Sequence, residues 1–369
     1  MRILVASDDD ALSEEIRSLL VHAGNESDLL SFTSLDSATD CLIQFQPETI
    51  ILVLCPNWEV GIAVMRECLQ VSPTRVLAIG PATDPQFILN TLQEGAYHYV
   101  DKTTLKTQLT AGLARLSSEI PVPRKIGRVI AVLGTCGGAG SSTLAVNIAI
   151  VLAQQYETTG LIDLNLAAGD LSMMLNLAPE RNVADFCRNA SRMDKLMFEQ
   201  CFTRHESGVQ LLGSSPVDLR ETAEITPRDI GKMIGMARSA FPFVVVDVER
   251  PFGKKHEQAL LQADVILLVM RLDFASLRQT SETIARLTKL GIAKDRILLI
   301  VNRYRQPKEL RIADVEKALK TKISFFIPND PQHVNQANNS GIPLVLRFPR
   351  AKSAKSITSI AWKLNGLSG

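Results

Sequence analysis

The residues from Gly134 to Thr143 read Gly-Thr-Cys-Gly-Gly-Ala-Gly-Ser-Ser-Thr, glycines interrupted by small side chains and closed by hydroxyls. An apolar run, Val129 to Leu133, leads into them and reads as a buried parallel strand. Behind them Leu144 to Ala153 is an apolar helical stretch with Asn147 near its start. A strand, a glycine loop and a helix N-terminus together hold anions, because free backbone N–H groups and the helix dipole converge on one point. Gly137, Gly138 and Gly140, with the small Ala139 between them, let the backbone approach phosphate closely. Ser142 offers a hydroxyl to Mg²⁺, and Ser141 and Thr143 flank it. Phosphate loops of this class place a lysine just before the closing Ser/Thr pair, and here that position is Ser141. The loop is built to hold a nucleotide and poorly built to hydrolyse one.

Carboxylates lie downstream at strand ends. Asp163 follows Leu161 and Ile162, and Asn165 stands two positions on. Asp247 closes the apolar run Phe243 to Val246, the pattern in which an acid meets Mg²⁺ directly or through water. Asp163, Asp247 and Ser142 are therefore the candidate metal ligands. Asn302 and Arg303 end another apolar run, and Pro328 and Asn329 sit in the later Ile327–Asp330 stretch. Arg250, Lys254 and Lys255 follow Asp247 and are candidate replacements for the absent lysine, although such charges are more often solvated. Each lost charge-assisted hydrogen bond weakens ground-state binding by about 1.5–3 kcal/mol. A cation on a transferring phosphoryl group contributes about 10³–10⁵ in rate. Binding of ATP with Mg²⁺ is thus expected to survive in weakened form, while turnover is not.

Elements that position these residues alternate along the 369-residue chain, a length that suggests two domains. Strand-like runs separated by helical patterns predict an α/β protein with parallel sheets covered by helices. A first domain is expected over 1–117, with strands near Arg2–Ala6, Glu26–Phe32, Thr49–Leu54, Arg75–Ile79 and Tyr97–Val100. A linker over 118–125 contains Pro121 and Pro123, and the second domain covers 126–369. Its strands are expected at Val129–Leu133, Gly160–Asp163, Val209–Leu212, Phe243–Asp247, Val265–Met270 and Ile297–Asn302. Forty basic against 39 acidic residues give no global field for nucleic acid or anionic lipid. No apolar run is long enough for a transmembrane helix, and the start reads as a strand and not as a signal peptide. Six scattered cysteines lack metal-ligand spacing and read as reduced thiols of a cytoplasmic protein.

The first domain resembles a flavodoxin-like response-regulator receiver. Ser7, Asp8 and Asp9 match the acid cluster of that family and Lys102 its lysine, but Val53 stands where the phosphorylated aspartate belongs and Gly80 where the hydroxyl belongs. An aliphatic side chain cannot accept a phosphoryl group, so the resemblance implies a recognition module without phosphorelay. The second domain resembles the ParA/MinD class of deviant P-loop ATPases, with Cys136 at the signature lysine and Ser141 at the loop lysine. That resemblance implies that Asn165 replaces the acid associated with the attacking water, and that Asn302, Arg303, Pro328 and Asn329 flank adenine. Across the whole chain the pairing is similar to the TadZ/CpaE proteins of the Tad (Flp) pilus-assembly system. It implies a cytoplasmic, polar or inner-membrane-face assembly factor that forms a homodimer and recruits the pilus secretion ATPase and other pilus components. The alternative is an active MinD/ParA-like ATPase switch for positioning or partitioning. The stripe Ile357, Ile360, Ala361, Leu364 and Leu367, with Lys352, Lys355 and Lys363 outside it, is read as a terminal helix packed on its own domain, in preference to a membrane contact.

Overall fold

The computed structural model of the chain describes all residues except 1, 24–28, 46, 56–57, 72–73, 83, 119–126, 167–168, 215–224 and 367–369. The chain divides into two compact units, Met1–Ile126 and Gly127–Gly369. The expected linker at 119–125, residues 26–28 of the second expected strand, and Leu367 lie outside the described residues.

In the first unit, β1 (Ile3–Ala6), β2 (Leu30–Thr33), β3 (Thr49–Val53), β4 (Arg75–Gly80) and β5 (His98–Asp101) form one sheet in the order β2-β1-β3-β4-β5. All four pairings are parallel. The helices between them are α1 (Asp10–His22), α2 (Ala38–Phe45), α3 (Trp58–Val71), α4 (Pro85–Gln93) and α5 (Leu105–Ser118). Side chains alternate across each strand, so Leu4 and Ala6 enter one core while Ile3 and Val5 enter the other. Among the described residues the sheet is a parallel one of the doubly wound order 2-1-3-4-5.

The second unit is built on a larger sheet with strands β6 (Arg128–Gly134), β7 (Thr159–Leu164), β8 (Thr203–Arg204), β9 (Val209–Leu212), β10 (Phe243–Val248), β11 (Val265–Met270), β12 (Ile297–Tyr304) and β13 (Ile323–Pro328). Their order is β13-β12-β11-β6-β10-β7-β9-β8, parallel except at the β8–β9 edge. Central strands are apolar throughout because helices cover both faces: Val129, Ala131 and Leu133 feed one core, Ile130 and Val132 the other. Its helices are α6 (Ser141–Tyr156), α7 (Leu171–Met174), α8 (Val183–Arg188), α9 (Lys195–Glu199), α10 (Pro227–Ala240), α11 (Lys254–Gln262), α12 (Phe274–Lys289), α13 (Ile312–Leu319), α14 (Pro331–Ser340), α15 (Leu344–Arg347) and α16 (Lys352–Gly366). Residues Leu144 to Ala153 of α6 are all buried, which explains a helix apolar on every side. From β6 the chain first builds toward β7 and later toward β11 on the opposite side. Such a reversal opens a crevice at the carboxyl end of the first strand, where Gly134 begins the glycine loop.

Two elements differ from expectation. The Ile327–Pro328 stretch ends the edge strand β13, absent from the expected strands because its mixed exposure hides it from a periodicity test. The antiparallel strand β8 has only two residues and carries no sequence pattern. In α16, Ile357, Ile360, Ala361 and Leu364 are buried in the same core as α6, and the Arg128 guanidinium donates to the Leu364 carbonyl. The stripe is thus spent inside the unit, leaving Trp362 62% exposed. Among the described residues no helix is long and apolar enough to cross a membrane. Ile360→Ala is expected to cost about 2–5 kcal/mol of stability and Trp362→Ala less than about 1 kcal/mol. Urea unfolding followed by circular dichroism measures both, and equal losses would contradict this packing.

Candidate nucleotide site

The glycine loop turns through two left-handed residues, Gly138 at φ +68° and Gly140 at φ +92°. A side chain at Gly140 would strain the backbone and set its Cβ 2.3 Å from Asn302 Nδ2. That contact is used: Asn302 Nδ2 donates to the Ala139 carbonyl at 2.7 Å, tying the end of β12 to the loop. At Gly137 and Gly138, by contrast, a Cβ would meet nothing within 4 Å, so these glycines line open space. The loop's base is fixed from α12. The buried Ser276 hydroxyl lies 3.1 Å from Thr135 Oγ1 and 3.7 Å from Cys136 Sγ, and it accepts from the Arg271 amide. Ser141, Ser142 and Thr143 form the first turn of α6, where amide donors lack intrahelical partners.

Two acids sit under the loop in register, Asp163 of β7 opposite Asp247 of β10. Asp163 is committed to backbone: Oδ1 accepts from Asn165 N–H at 3.0 Å and Oδ2 from Leu171 N–H at 3.5 Å. Burial, and then the negative Asp247 beside it, push its pKa up to about 8. Asp247 is hydrogen-bonded by the Ser142 hydroxyl, yet burial dominates and lifts its pKa to about 6. Its Oδ1 is buried without a hydrogen-bond partner. An orphaned carboxylate oxygen beside a hydroxyl, open space at two glycines and a helix N-terminus are the donor set that suits a Mg²⁺-bound phosphate. Among the described residues no three His, Cys, Asp or Glu converge on a metal, so Ser142 and Asp247 would leave most positions to phosphate and water. Asn165 has no acid to offer: its N–H goes to Asp163 and its carbonyl accepts from Ser214 Oγ at 2.7 Å.

Beside the loop opens a cleft of about 200 Å³. It brings Gly140 and Thr143 of the loop together with Asn302, Arg303, Pro328 and Asn329, four residues distant in sequence from it. The apolar Ile327, Leu344 and Ile357 add wall from β13, α15 and α16. Those C-terminal contributions were not legible as site residues, because their apolar pattern is that of ordinary core. Buried Asn147 holds this wall in place, donating to the Thr143 carbonyl at 2.7 Å and accepting from Val345 N–H at 2.8 Å. Of the three cations after Asp247, Arg250 reaches the loop, its Nη1 donating to the Thr135 carbonyl. Lys254 and Lys255 open α11.

In the first unit the acids are occupied locally. Asp9 caps α1 through Leu12 N–H at 3.0 Å and Asp8 accepts from Leu35 N–H at 2.9 Å. Val53 is fully buried, and a Cβ at Gly80 would fall 2.4 Å from the Tyr99 hydroxyl. Lys102 lines the same hollow as Asp8 and Asp9. Neither Val53 nor Gly80 offers a group that accepts a phosphoryl group, so acetyl phosphate with Mg²⁺ is expected to leave this unit unmodified. A phosphoryl adduct mapped by mass spectrometry to residues of the first unit would contradict that.

The raised acids also set a pH dependence. Native Asp163 and Asp247 hold protons that the unfolded chain releases near pH 4, as ordinary carboxyls do at about that value. Their stability contribution is therefore complete below about pH 4. It is lost as pH rises through their folded values near 6 and 8. Asp163→Asn is expected to flatten this fall, and denaturant midpoints of the two proteins across the interval read it out. Parallel profiles would contradict it.

Similarity to known proteins follows the second unit. The model of the CobQ/CobB/MinD/ParA nucleotide binding domain matches residues 130–344. An uncharacterised ATP-binding protein of Methanocaldococcus jannaschii is 26% identical over 238 residues, 64% of this chain and 87% of that protein. Among solved structures, a ParA family ATPase from Chlorobium tepidum superposes with a TM-score of 0.62 at 24% identity, over 65% of this chain and all of the other. The septum site-determining protein MinD of Pyrococcus horikoshii, solved with Mg-ADP, gives 0.58 at 23% identity, over 66% of this chain and 98% of the other. These structural likenesses carry the fold, and the family model covers more than half of the sequence. The chain belongs to the CobQ/CobB/MinD/ParA nucleotide-binding domain family.

Proposed function

We propose that the chain binds Mg²⁺-ATP mainly as a structural ligand, turns it over little or not at all, and acts as a dimeric localisation and assembly factor of a Tad (Flp) pilus system. The observation that carries this reading is a glycine loop complete in shape but with Cys136 and Ser141 at the two lysine positions. Phosphates would lie on the loop amides and the α6 N-terminus, with Gly137, Gly138 and Gly140 giving access. Ser142 and Asp247 would hold Mg²⁺, which supplies charge neutralisation to the phosphates. Asp163 positions the chain between β7 and α7 through its two backbone hydrogen bonds. Adenine fits the cleft beside Asn302, Arg303, Pro328 and Asn329, whose walls are partly apolar and partly amide.

Hydrolysis needs more than this. A general base must lie within reach of water, and the amide of Asn165 is not one. The first unit, in sheet order 2-1-3-4-5 and without a phosphorylatable residue at Val53, supports a recognition role toward a partner. The partners proposed are a second copy of the chain and the pilus secretion ATPase, met in the cytoplasm at a pole or at the inner membrane face. A second reading, an active ATPase switch of the MinD or ParA kind, draws on Arg250 at the loop and on the relatives' names.

Titration of the purified chain with Mg²⁺-ATP and Mg²⁺-ADP by calorimetry is expected to show saturable binding, weakened about tenfold or more by Ser142→Ala. Phosphate release should stay at the level of an Asp247→Ala control. Absence of binding at millimolar nucleotide would overturn the ligand reading, and release well above that control would favour the switch.

A further inference from the structure

Five residues, Glu249 to Gly253, join the end of β10 to α11, and Glu249, Phe252 and Gly253 are anchored. Glu249 Oε1 lies 3.2 Å from His256 Nε2. The Gly253 N–H donates to His256 Nδ1 at 3.0 Å, so the ring proton sits on Nε2, which reaches the Leu164 carbonyl at 3.1 Å. Phe252 is buried with the Arg286 guanidinium 4.0 Å above its ring, and Arg286 in turn pairs with Glu257 of α11 at 2.7 Å. Between these anchors Arg250 is exposed and directs one N–H to the Thr135 carbonyl, at the entrance of the glycine loop.

The loop from Gly134 to Thr143 contains no lysine or arginine, while Asp163 and Asp247 lie beneath it. A polyphosphate arriving there meets the Asp247 carboxylate and no cation contributed by the loop itself. A guanidinium has five N–H donors in a planar fork, and Arg250 spends one on Thr135. Among the described residues, Arg271 lies next to Ser276 and Arg303 next to Asn302. Arg271 Nε is 3.0 Å from Asp273, and Arg303 lies in the cleft beside Asn302. We propose that Arg250 is a phosphate-binding residue of this site, supplying from the segment after β10 the positive charge that the loop has lost. The same contact makes the 249–253 segment, and α11 behind it, respond to whether phosphate is present. Glu249 and His256 set the reach of the segment, with β7 as the fixed point.

This inference rests on the nucleotide reading above, and the experiment separates the two. Full-length wild type, Arg250→Ala and Arg250→Lys are titrated with Mg²⁺-ATP by calorimetry, and thermal unfolding without nucleotide is recorded for each. Arg250→Ala is expected to weaken ATP binding about tenfold. Arg250→Lys should recover part of the loss, because it keeps the charge and loses the fork. Hydrogen exchange of the 249–253 amides should slow on adding ATP to wild type and not to Arg250→Ala. Equal ATP affinity in wild type and Arg250→Ala overturns this proposal alone. Loss of affinity accompanied by a large fall in the melting temperature of the ligand-free protein also overturns it, since the arginine would then be a structural strut. A wild type that binds no nucleotide overturns both readings.

Discussion

The site depends on the absence of a side chain at Gly140. Its φ of +92° turns the loop into α6, and the 2.3 Å left for a Cβ is taken by the amide of Asn302. That amide donates to Ala139, so the end of β12 and the loop are fixed by one short hydrogen bond. From β12 the constraint spreads outward: Tyr304 pairs in register with Pro328 of β13, and its carbonyl accepts from Asn329 N–H at 2.9 Å. On the other side Asn147 couples the first turns of α6 to Val345. The cleft walls and the glycine loop are thus tied together by hydrogen bonds around a position that suits glycine.

Much of this was legible because it is local. Central strands of a parallel sheet are buried on both faces, so Val129–Leu133, Val265–Met270 and Phe243–Val246 stand out as unbroken apolar runs. Val129–Leu133 ends at the glycine loop and Phe243–Val246 at Asp247. The misses share a cause as well. β13 is an edge strand with partly exposed residues and a closing proline, so neither periodicity nor composition separates it from a turn. Ser276, Ile357 and Leu344 reach the loop or the cleft from more than 130 residues away, and Ser276 meets Thr135 across 141 positions. A hydroxyl in the first turn of a helix reads as capping; its contact with the loop base exists only in three dimensions.

Arg250 shows where a residue can be noticed without its role being fixed. Its charge after Asp247 is visible in the sequence, as are those of Lys254 and Lys255, and nothing in the pattern ranks them. Geometry does, because the anchors at Phe252 and at Gly253 with His256 leave Arg250 turned toward Thr135 while the two lysines open α11. In the first unit the reverse holds. Asp8 and Asp9 match the receiver acid cluster in the sequence, but Asp9 is spent capping α1 and Asp8 holding Leu35.

Retaining the cradle while losing its lysines has a consistent physical meaning. Backbone amides, a helix N-terminus and an apolar cleft stabilise a bound nucleotide in its ground state, and all of them persist here. In the proposed reading, Cys136, Ser141 and Asn165 stand where groups would act on charge that develops during phosphoryl transfer. Interactions that favour ground state and transition state equally lower the concentration needed for binding without speeding the reaction. On the proposed reading, glycines and Asp247 without those three groups suit occupancy of the site more than turnover. A protein read by its partners through whether a nucleotide is bound needs occupancy and a surface that reports it. The segment from Asp247 through Arg250 to His256, anchored on β7 and touching the loop, is the part of this fold able to connect the two.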